Sequence, residues 1–543
     1  MSRITLVGIN AKFAHTNPAI RLLKRYAGRD EVDIAEFTIN MDWEAAADAL
    51  LNRGSQAYGI SLYIWNAAWG IALGDRLRQA GKTVFYGGPE AAGRKRELTL
   101  ACDFVFTGEG EIPFRQWAER FLAGEDWRTA PGIAYREGGA LRENPGQLAD
   151  LDELPQPYED LEQMKNRLVY YEASRGCPFQ CSYCLSAAAP GVRYRSLPLV
   201  LRDIDRFIEA GVMKVKFVDR TFNSDRRRAK QIIRHIVEKN PRTDFHLEMA
   251  PDLVDQEMAA LMEGGRKGLF RVELGLQSAN PATLAAIGRR QDLAQTAWAV
   301  QALGHSATVH LDLIAGLPLE GYESFRRSFN TAMAMGPDVL QLGFLKVLKG
   351  SPMERDAARY GIVSRREPPY EVLHTDAISA EELDRLRAVE YALERIYNSG
   401  LFRHAAAYFG GDDALGFLER LSQRVQLKGC SEEALARALA DYGREAGLPL
   451  AEDMVKLDRL LRPFRPKVKF PEDGHEAQRR ALYQEICLPG VPKGKRPWHY
   501  SRIEWFGFDV PAYLEGGTLL PEECAVLFDY TGEAPRVEKI ETP

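Results

Sequence analysis

Two series of short β-rich segments, each alternating with segments of helical periodicity, constrain the fold of this 543-residue chain more than any other feature. The first series lies between residues 4 and 106, and the second lies between residues 168 and 345. A strand followed by a helix and another strand favours a parallel sheet covered by helices. We therefore predict an α/β chain with two parallel-sheet domains, followed by a mostly helical region.

The first series predicts a Rossmann-like domain with helices on both faces of its sheet. Its predicted strands are 4–9, 32–37, 58–62, 83–86 and 103–106, and its predicted helices include 19–26, 43–51 and 67–79. In such a sheet, ligands bind beyond the carboxyl ends of the strands. The candidate ligand-binding residues there are Asn10, His15, Ser61, Tyr63, Gly87, Gly88, Gly108 and Glu109. The glycines let a large ligand approach the backbone, although glycines also suit ordinary turns. The segment lacks a G-x-G-x-x-G motif, so a dinucleotide site has little support.

The second series predicts a partial (β/α)6 barrel that is open on one side. Its predicted strands are 168–173, 214–218, 245–249, 271–276, 308–314 and 339–345, and its helices include 198–210, 226–238, 255–262, 281–286 and 293–302. In βα barrels the chemistry lies at the carboxyl ends of the strands. Polar residues at those ends are Asp219, Glu248, Glu273 and Gln277. Charged side chains among apolar strands need partners or a ligand, and ion pairs inside the barrel would explain them equally well.

Three cysteines follow the first strand of the second series, in the spacing C-x3-C-x2-C. They are Cys177, Cys181 and Cys184. Three thiolates this close together can bind three irons of a [4Fe–4S] cluster and leave the fourth iron without a protein ligand. A structural zinc site is the alternative, but it needs four ligands, and the next cysteine or histidine is His235. The chain has few cysteines, and three of them stand in a motif that needs reduced thiols, which indicates a reducing, cytoplasmic location.

The cysteine spacing, with Tyr183 directly before the last cysteine, resembles the radical S-adenosyl-L-methionine (SAM) superfamily. In that superfamily the open iron binds the amino and carboxylate groups of SAM, and an electron from the cluster splits SAM to give a 5′-deoxyadenosyl radical. The resemblance implies that the three cysteines are the catalytic cluster ligands and that Tyr183 lies near the adenine. It also implies further contacts with SAM from the following residues: Asp219 with the amino group, Glu248 and Gln277 with ribose or methionine atoms, and Gly316 and Pro318 with the adenine.

The position of the first domain, directly before this motif, resembles the architecture of cobalamin (B12)-dependent radical SAM enzymes. Many cobalamin domains carry an Asp-x-His-x-x-Gly motif whose histidine binds cobalt. The segment around His15 lacks both the Asp and the Gly. This departure favours cobalamin without a histidine on cobalt, and it leaves His15 as either an axial ligand or a hydrogen-bonding loop residue. A domain without a corrin would instead bind a partner or a substrate.

Composition shifts predict the domain boundaries. We predict a cobalamin-binding domain at 1–140, a proline-rich linker at 141–165, a radical SAM barrel at 166–350, a helical C-terminal domain at 351–530 and a frayed tail at 531–543. Helices are expected at 380–398 and 431–445, and a strand or a covering surface at 498–508. The C-terminal extension resembles an uncharacterised branch of the family with a domain of the DUF4080 type.

Charge and hydropathy narrow the possible partners. The formal net charge of −5 argues against a nucleic-acid partner, and no apolar run is long enough for a membrane span or a signal peptide. Basic residues at 462–469 and 493–496 fit RNA contact or a solvated linker, and a linker is favoured because no RNA-binding module accompanies them. The remaining expected partners are a small- or medium-sized organic substrate and an electron donor such as flavodoxin or ferredoxin.

The resemblance implies an enzyme that methylates an unactivated carbon through the deoxyadenosyl radical and methylcobalamin. Its cofactors would be a [4Fe–4S] cluster, SAM and cobalamin. The first alternative is a cyclase, ring-contraction or rearrangement enzyme that uses cobalamin without methyl transfer. An RNA-modifying enzyme is a further alternative, although the additional cluster cysteines expected of a methylthiotransferase are absent from the sequence. The last alternative is a non-catalytic sensor or carrier of a cluster or corrin.

Overall fold

The computed structural model of this chain describes residues 3–188, 191–467, 470, 473–486, 488, 490–491 and 495–541. Two of the basic residues discussed above, Lys469 and Lys493, lie outside the described residues, as do their neighbours Val468 and Gly494 and the isolated Cys487. The chain forms two compact units, Met1–Leu383 and Asp384–Pro543. No helix in the described ranges is long and apolar enough to cross a membrane.

The first unit begins with a seven-stranded sheet in the order β2-β1-β3-β4-β5-β6-β7. Its strands are β1 (Ile4–Asn10), β2 (Val32–Thr38), β3 (Ala57–Ser61), β4 (Thr83–Gly87), β5 (Phe104–Phe106), β6 (Ile133–Glu137) and β7 (Ala140–Glu143). Strands β1 to β5 are parallel, as predicted. The antiparallel pair β6 and β7 was not predicted. The chain reverses between them at Gly138 and Gly139, whose positive φ angles suit a tight turn.

Helices cover both faces of this sheet and bury two apolar clusters against it. They are α1 (Pro18–Ala27), α2 (Trp43–Arg53), α3 (Ala67–Gln79), α4 (Pro89–Gly93), α5 (Lys95–Leu98) and α6 (Glu111–Ala123). Asn17 caps α1 because its side chain accepts a hydrogen bond from the Ile20 amide at 3.3 Å, and the left-handed Gly28 ends the helix. The alternation of short strands and capped helices therefore gives the predicted Rossmann-like domain.

A second sheet of six parallel strands follows, in the order β15-β14-β13-β12-β11-β8. The strands of this region are β8 (Leu168–Tyr171), β9 (Ser174–Cys177), β10 (Gly191–Tyr194), β11 (Lys214–Phe217), β12 (Asp244–Met249), β13 (Phe270–Gln277), β14 (Thr308–Ala315), β15 (Val339–Phe344), β16 (Val363–Ser364) and β17 (Val372–His374). The outer strands β8 and β15 do not pair with each other, so the sheet forms the predicted open, partial barrel.

Helices connect the barrel strands, as parallel pairing requires. They are α7 (Leu197–Glu209), α8 (Arg226–Lys239), α9 (Gln256–Glu263), α10 (Pro281–Ala286), α11 (Leu293–Gly304), α12 (Tyr322–Ala334) and α13 (Pro352–Asp356). Alternate residues of the strands are buried under these helices, whereas the others, many of them charged, lie on the opposite face of the sheet. This polar face is where a site can form.

The second unit is mostly helical, but it also contains an antiparallel sheet of three strands. Its helices are α14 (Ala380–Leu393, which begins at the end of the first unit), α15 (Arg403–Gly410), α16 (Ala414–Arg424), α17 (Glu432–Glu445), α18 (Ala451–Leu460), α19 (Glu476–Glu485) and α20 (Val510–Gly516). Its strands are β18 (Ser501–Phe508), β19 (Pro521–Asp529) and β20 (Arg536–Ile540). The segment predicted as a strand at 498–508 largely coincides with β18. The expectation of a frayed tail after residue 530 is wrong for β20, which pairs with β19.

The close approach of β3 and β4 predicts a stability effect at Gly59. A β-carbon added there would lie 2.2 Å from the ring of Phe85, which stacks on Phe104 with centroids 4.9 Å apart. We expect Gly59→Ala to lower the free energy of unfolding by about 1–3 kcal/mol, because the ring has no free space into which it can move. Chemical denaturation would measure the change. Gly304→Ala is the matched control, since nothing lies within 4 Å of an added β-carbon there, and a similar loss in the control would contradict this reasoning.

Candidate active site

The cysteine loop begins in the hairpin of β9 and β10, directly after β8. Asp219, at the end of β11, anchors this hairpin, because its carboxylate accepts hydrogen bonds from the Ala173 amide (2.9 Å) and the Ser174 hydroxyl (2.6 Å). Gly176 has a φ of 97°, and a β-carbon there would lie 2.0 Å from the Gly191 carbonyl oxygen. Only glycine therefore fits directly before Cys177.

Each of the three predicted cluster ligands has a polar group near its sulfur. The Thr221 hydroxyl lies 3.4 Å from Sγ of Cys177, the Ser186 amide donates to Sγ of Cys184 at 3.4 Å, and the Arg289 guanidinium lies 3.9 Å from Sγ of Cys181. Polar contacts with ligand sulfurs are a common means of tuning a metal centre. The loop therefore offers a polar neighbour to each of the three sulfurs.

The three cysteines line one cavity at the carboxyl ends of the barrel strands. Other lining residues are Phe179, Tyr183, Arg220, Thr221, Glu248, Glu273, Gln277, Arg289 and Asp312. Buried oxygen atoms of Gln277 and Asp312 have no hydrogen-bond partner among the described residues. Buried polar atoms normally have partners, so these two oxygens fit a polar ligand in the cavity.

A single metal ion does not fit this arrangement. Within the described ranges, no three His, Cys, Asp or Glu side chains lie close enough together to hold one ion. The three thiols thus share a cavity without converging on one point, as a mononuclear zinc site would require. The spacing C-x3-C-x2-C, by contrast, is typical of a cluster that takes three protein ligands.

Ion pairs on the polar face of the barrel continue from this cavity. Lys216 Nζ lies 3.0 Å from Glu248 and 3.3 Å from Glu273, and His246 Nε2 lies 3.0 Å from Glu273. Burial alone would raise the pKa of Glu273, but the hydrogen bond from His246 and the charge of Lys216 lower it to about 2. By contrast, burial and these two glutamates raise the pKa of Asp312 well above its usual range. The same cavity therefore lowers the pKa of one carboxyl group, Glu273, and raises that of another, Asp312.

Loops of the N-terminal domain contact the barrel beside the cysteine hairpin. Arg175 in β9 pairs with Glu109 (2.9 Å) and Glu111 (2.6 Å) of that domain, and with Glu172 (2.8 Å) of its own. Arg193 in β10 also pairs with Glu109. Glu109 is thus held by two arginines, and its contact with a cofactor stays a prediction.

His15 contacts the first strand of the barrel. Its Nδ1 lies 2.8 Å from the Tyr170 hydroxyl, and burial together with nearby Lys12 lowers the pKa of the imidazole. Asn10, close by, directs its side-chain amide to the His15 carbonyl oxygen and to Glu36. This geometry gives His15 a hydrogen-bonding role.

The other candidates in the N-terminal domain lie at neighbouring strand ends. Tyr63 stacks on Trp65 with ring centroids 4.4 Å apart, and Asn66 donates hydrogen bonds to the carbonyls of Ser61 (3.1 Å) and Ile9 (2.9 Å). Asn66 was not among the candidate ligand-binding residues, although it stands in the same loop. Gly87 is the last residue of β4, Gly88 follows it, and Gly108 follows β5. Gly88 has a φ of 98°, and a β-carbon there would lie 2.6 Å from the Leu62 carbonyl oxygen, so the turn itself requires this glycine.

Three residues predicted to contact SAM are not among the residues that line this cavity. Asp219 accepts its two hydrogen bonds from the hairpin, and its contact with the SAM amino group stays a prediction. Gly316 and Pro318 are not among the lining residues, and Gly316 instead approaches Val372, 2.7 Å from where its β-carbon would be. Glu248, Gln277 and Tyr183 do line the cavity. Sequence reasoning missed Arg289, because the residue stands 108 positions from the cysteine that it contacts.

Three family models match different parts of the chain. A B12 binding domain matches residues 4–118, the radical SAM superfamily matches residues 171–332, and a protein of unknown function, DUF4080, matches residues 358–460. The matches follow one another in the order predicted from the sequence.

Curated relatives include several methyltransferases. The cobalamin-dependent radical SAM methyltransferase TokK of Streptomyces tokunonensis is 22% identical, over 97% of this chain and 90% of that protein. An uncharacterized methyltransferase of Pyrococcus horikoshii is 29% identical over 38% of this chain, and a 2-(S-pantetheinyl)-carbapenam-3-carboxylate methyltransferase of Streptantibioticus cattleyicolor is 25% identical over 67%. This chain spans only 48% and 60% of the lengths of the last two relatives.

Solved structures share the fold at low identity. The cobalamin-dependent SAM radical enzyme OxsB, solved with aqua-cobalamin and SAM, aligns with a TM-score of 0.60 at 14% identity over 84% of this chain and 78% of OxsB. The radical SAM methyltransferase TsrM of Kitasatospora setae, solved with cobalamin and a [4Fe-4S] cluster, aligns with a TM-score of 0.57 at 18% identity over 68% of this chain and 79% of TsrM. These likenesses support the fold.

The buried carboxyl group of Asp219 predicts a pH-dependent stability. Burial raises its pKa to about 7, so the folded chain binds this proton more tightly than the unfolded chain does. The group therefore favours folding more at pH 6 than at pH 8. In Asp219→Asn, the uncharged side-chain amide can form hydrogen bonds with both the Ala173 amide and the Ser174 hydroxyl. We expect the pH dependence of stability to be lost in this variant. Urea titrations should show the wild type gaining about 1 kcal/mol relative to the variant when the pH falls from 8 to 6. A difference in unfolding free energy between the wild type and the variant that does not change with pH would contradict this account.

Proposed function

We propose that this chain is a cobalamin-dependent radical SAM enzyme and that it transfers a methyl group to an unactivated carbon of a small- or medium-sized organic substrate. The observation that carries the proposal is the cavity in which three cysteine thiols and two unpartnered polar oxygens, of Gln277 and Asp312, meet at the carboxyl ends of barrel strands. Relatives that are named methyltransferases support methyl transfer as the reaction.

We assign the iron-binding role to Cys177, Cys181 and Cys184. In this assignment the bound cluster and SAM supply the radical, and cobalamin supplies the methyl group. Gln277 and Glu248 offer oxygen acceptors for hydroxyl or ammonium groups of SAM, and Tyr183 offers an aromatic surface in the same cavity. The barrel holds the reactants in one orientation and excludes water from the radical.

We assign cobalamin to the strand ends of the N-terminal domain. The loop after β3 offers the stacked rings of Tyr63 and Trp65. The turn at Gly87 and Gly88 lets a ligand at the carboxyl ends of these strands approach the backbone. Nδ1 of His15 lies within hydrogen-bond distance of the Tyr170 hydroxyl, so we assign His15 a hydrogen-bonding role in the loop and not a bond to cobalt.

The cluster also requires a source of electrons. We propose a one-electron donor protein such as flavodoxin or ferredoxin, and a cytoplasmic location in which the thiols stay reduced. We also propose that the substrate enters through the open side of the barrel.

Replacing the three cysteines tests the iron assignment. We expect the Cys177→Ala, Cys181→Ala, Cys184→Ala triple variant, after anaerobic reconstitution, to lose the iron–sulfur absorbance and to lose cleavage of SAM to 5′-deoxyadenosine by at least about 100-fold. The variant Cys430→Ala is the control and should retain both properties, because this cysteine lies in the other unit. Iron retained at wild-type stoichiometry in the triple variant would refute the assignment.

The mass of the product tests methyl transfer itself. Purified protein, loaded anaerobically with cobalamin and SAM, would be incubated with candidate lipids, tetrapyrroles and peptides, and the products analysed by mass spectrometry. We expect a product that gains one methyl group from isotopically labelled SAM, with two SAM molecules consumed per turnover. A product of unchanged or reduced carbon content would instead assign the chain to cyclisation, ring contraction or rearrangement.

A further inference from the structure

Arg289 is the one charged residue found in hydrogen-bond contact with a cysteine of the loop, among the side chains that the structure describes. Its Nη1 lies 3.9 Å from Sγ of Cys181, which is itself only 7% exposed. The polar neighbours of the other two cysteines, Thr221 and the Ser186 amide, are neutral. The three sulfurs therefore lie in different electrostatic surroundings.

The guanidinium is fixed by the end of β13. Its Nη2 donates to the Gly275 carbonyl oxygen, and its Nε donates to Oε1 of Gln291 at 2.8 Å. Gln291 is held in turn by the same carbonyl (3.1 Å) and by the Thr296 hydroxyl (3.1 Å). A guanidinium with two anchored nitrogens loses little further freedom when its third nitrogen faces the sulfur.

The loop that carries Arg289 is also attached to the cysteine loop. The Ser182 amide donates to the Ile287 carbonyl oxygen at 2.9 Å. Gly288 has a φ of 69°, and a β-carbon there would lie 3.1 Å from the Gln180 carbonyl oxygen. The spacing between the guanidinium and Cys181 is therefore set by backbone contacts on both sides.

We propose that Arg289 is a positioning residue whose permanent positive charge raises the reduction potential of the iron–sulfur cluster held by the three cysteines. Reduction adds one electron, and hence one negative charge, to the cluster, without a bond or proton change in the protein. A cation fixed beside a ligand sulfur favours the more negative, reduced form, and it acts strongly where water is excluded. An arginine remains protonated at every working pH, so the effect persists across the pH range.

This inference rests on the proposed cluster, and its test does not use substrate. Reconstituted wild type, Arg289→Gln, Arg289→Lys and Arg290→Gln would be titrated with a one-electron reductant in the absence of SAM, with the reduced cluster followed by electron paramagnetic resonance. We expect Arg289→Gln to disfavour reduction at least tenfold, a shift of about 59 mV to more negative potential. Arg289→Lys should shift less, because it keeps the charge without the forked geometry.

Arg290→Gln is the matched control, since it removes the same charge one residue further on, from an exposed side chain. We expect it to titrate like the wild type. Gln291→Ala, which releases Nε of Arg289, should shift the potential in the same direction as Arg289→Gln but by a smaller amount. This variant also serves if Arg289→Gln fails to assemble its cluster.

Several outcomes separate the possible failures. A wild-type chain that assembles no four-iron cluster would refute the proposed function. Assembled clusters whose potential is unchanged in Arg289→Gln and Gln291→Ala would overturn the role of Arg289 alone. A weaker affinity for SAM with an unchanged SAM-free potential would likewise overturn it, and would make Arg289 a SAM ligand.

Discussion

The charge of Arg175 joins the N-terminal domain to the strand that leads into the cysteine loop. One guanidinium, only 15% exposed, binds carboxylates of Glu109, Glu111 and Glu172. Removal of one partner from such a buried network leaves uncompensated charge, at a cost of about 3–5 kcal/mol. The network also fixes where the carboxyl ends of the N-terminal strands lie relative to Cys177, so the arrangement of both candidate cofactor sites depends on it.

The polar face of the barrel extends this arrangement inward. Lys216 neutralises part of the charge of Glu248 and Glu273, whereas burial and the charges of these same two glutamates raise the pKa of Asp312 well above its usual range. A group that brought positive charge or hydrogen-bond donors into the cavity would satisfy its unpartnered oxygen. The cavity thus favours a ligand that carries positive charge or hydrogen-bond donors.

The sequence predicted the parts of the fold that depend on periodicity. Strands with alternating burial, such as β12 and β14, and the helices between them follow from local pattern, and the cysteine spacing identified the loop. The rest depended on pairing across long stretches of chain. Asp219 serves a hairpin amide and hydroxyl 45 or more residues earlier, and Glu109 pairs with arginines from another domain. Arg289 reaches a cysteine 108 residues away. No local pattern carries such contacts, so Asp219 and Glu109 were predicted to bind cofactors and Arg289 was missed.

The outer strand β8 of the barrel is paired by the N-terminal domain. The Leu168 amide donates to the Ala14 carbonyl oxygen at 2.7 Å, and the Thr16 hydroxyl donates to the Leu168 carbonyl oxygen at 2.9 Å. Exposed strand edges offer unpaired backbone groups to other chains. A barrel fragment produced by cleavage in the proline-rich linker would leave the edge of β8 without this partner. We expect such a fragment to pair with further copies of itself through β8. Both domains accordingly lie in one compact unit of the structure, although their sequences divide cleanly.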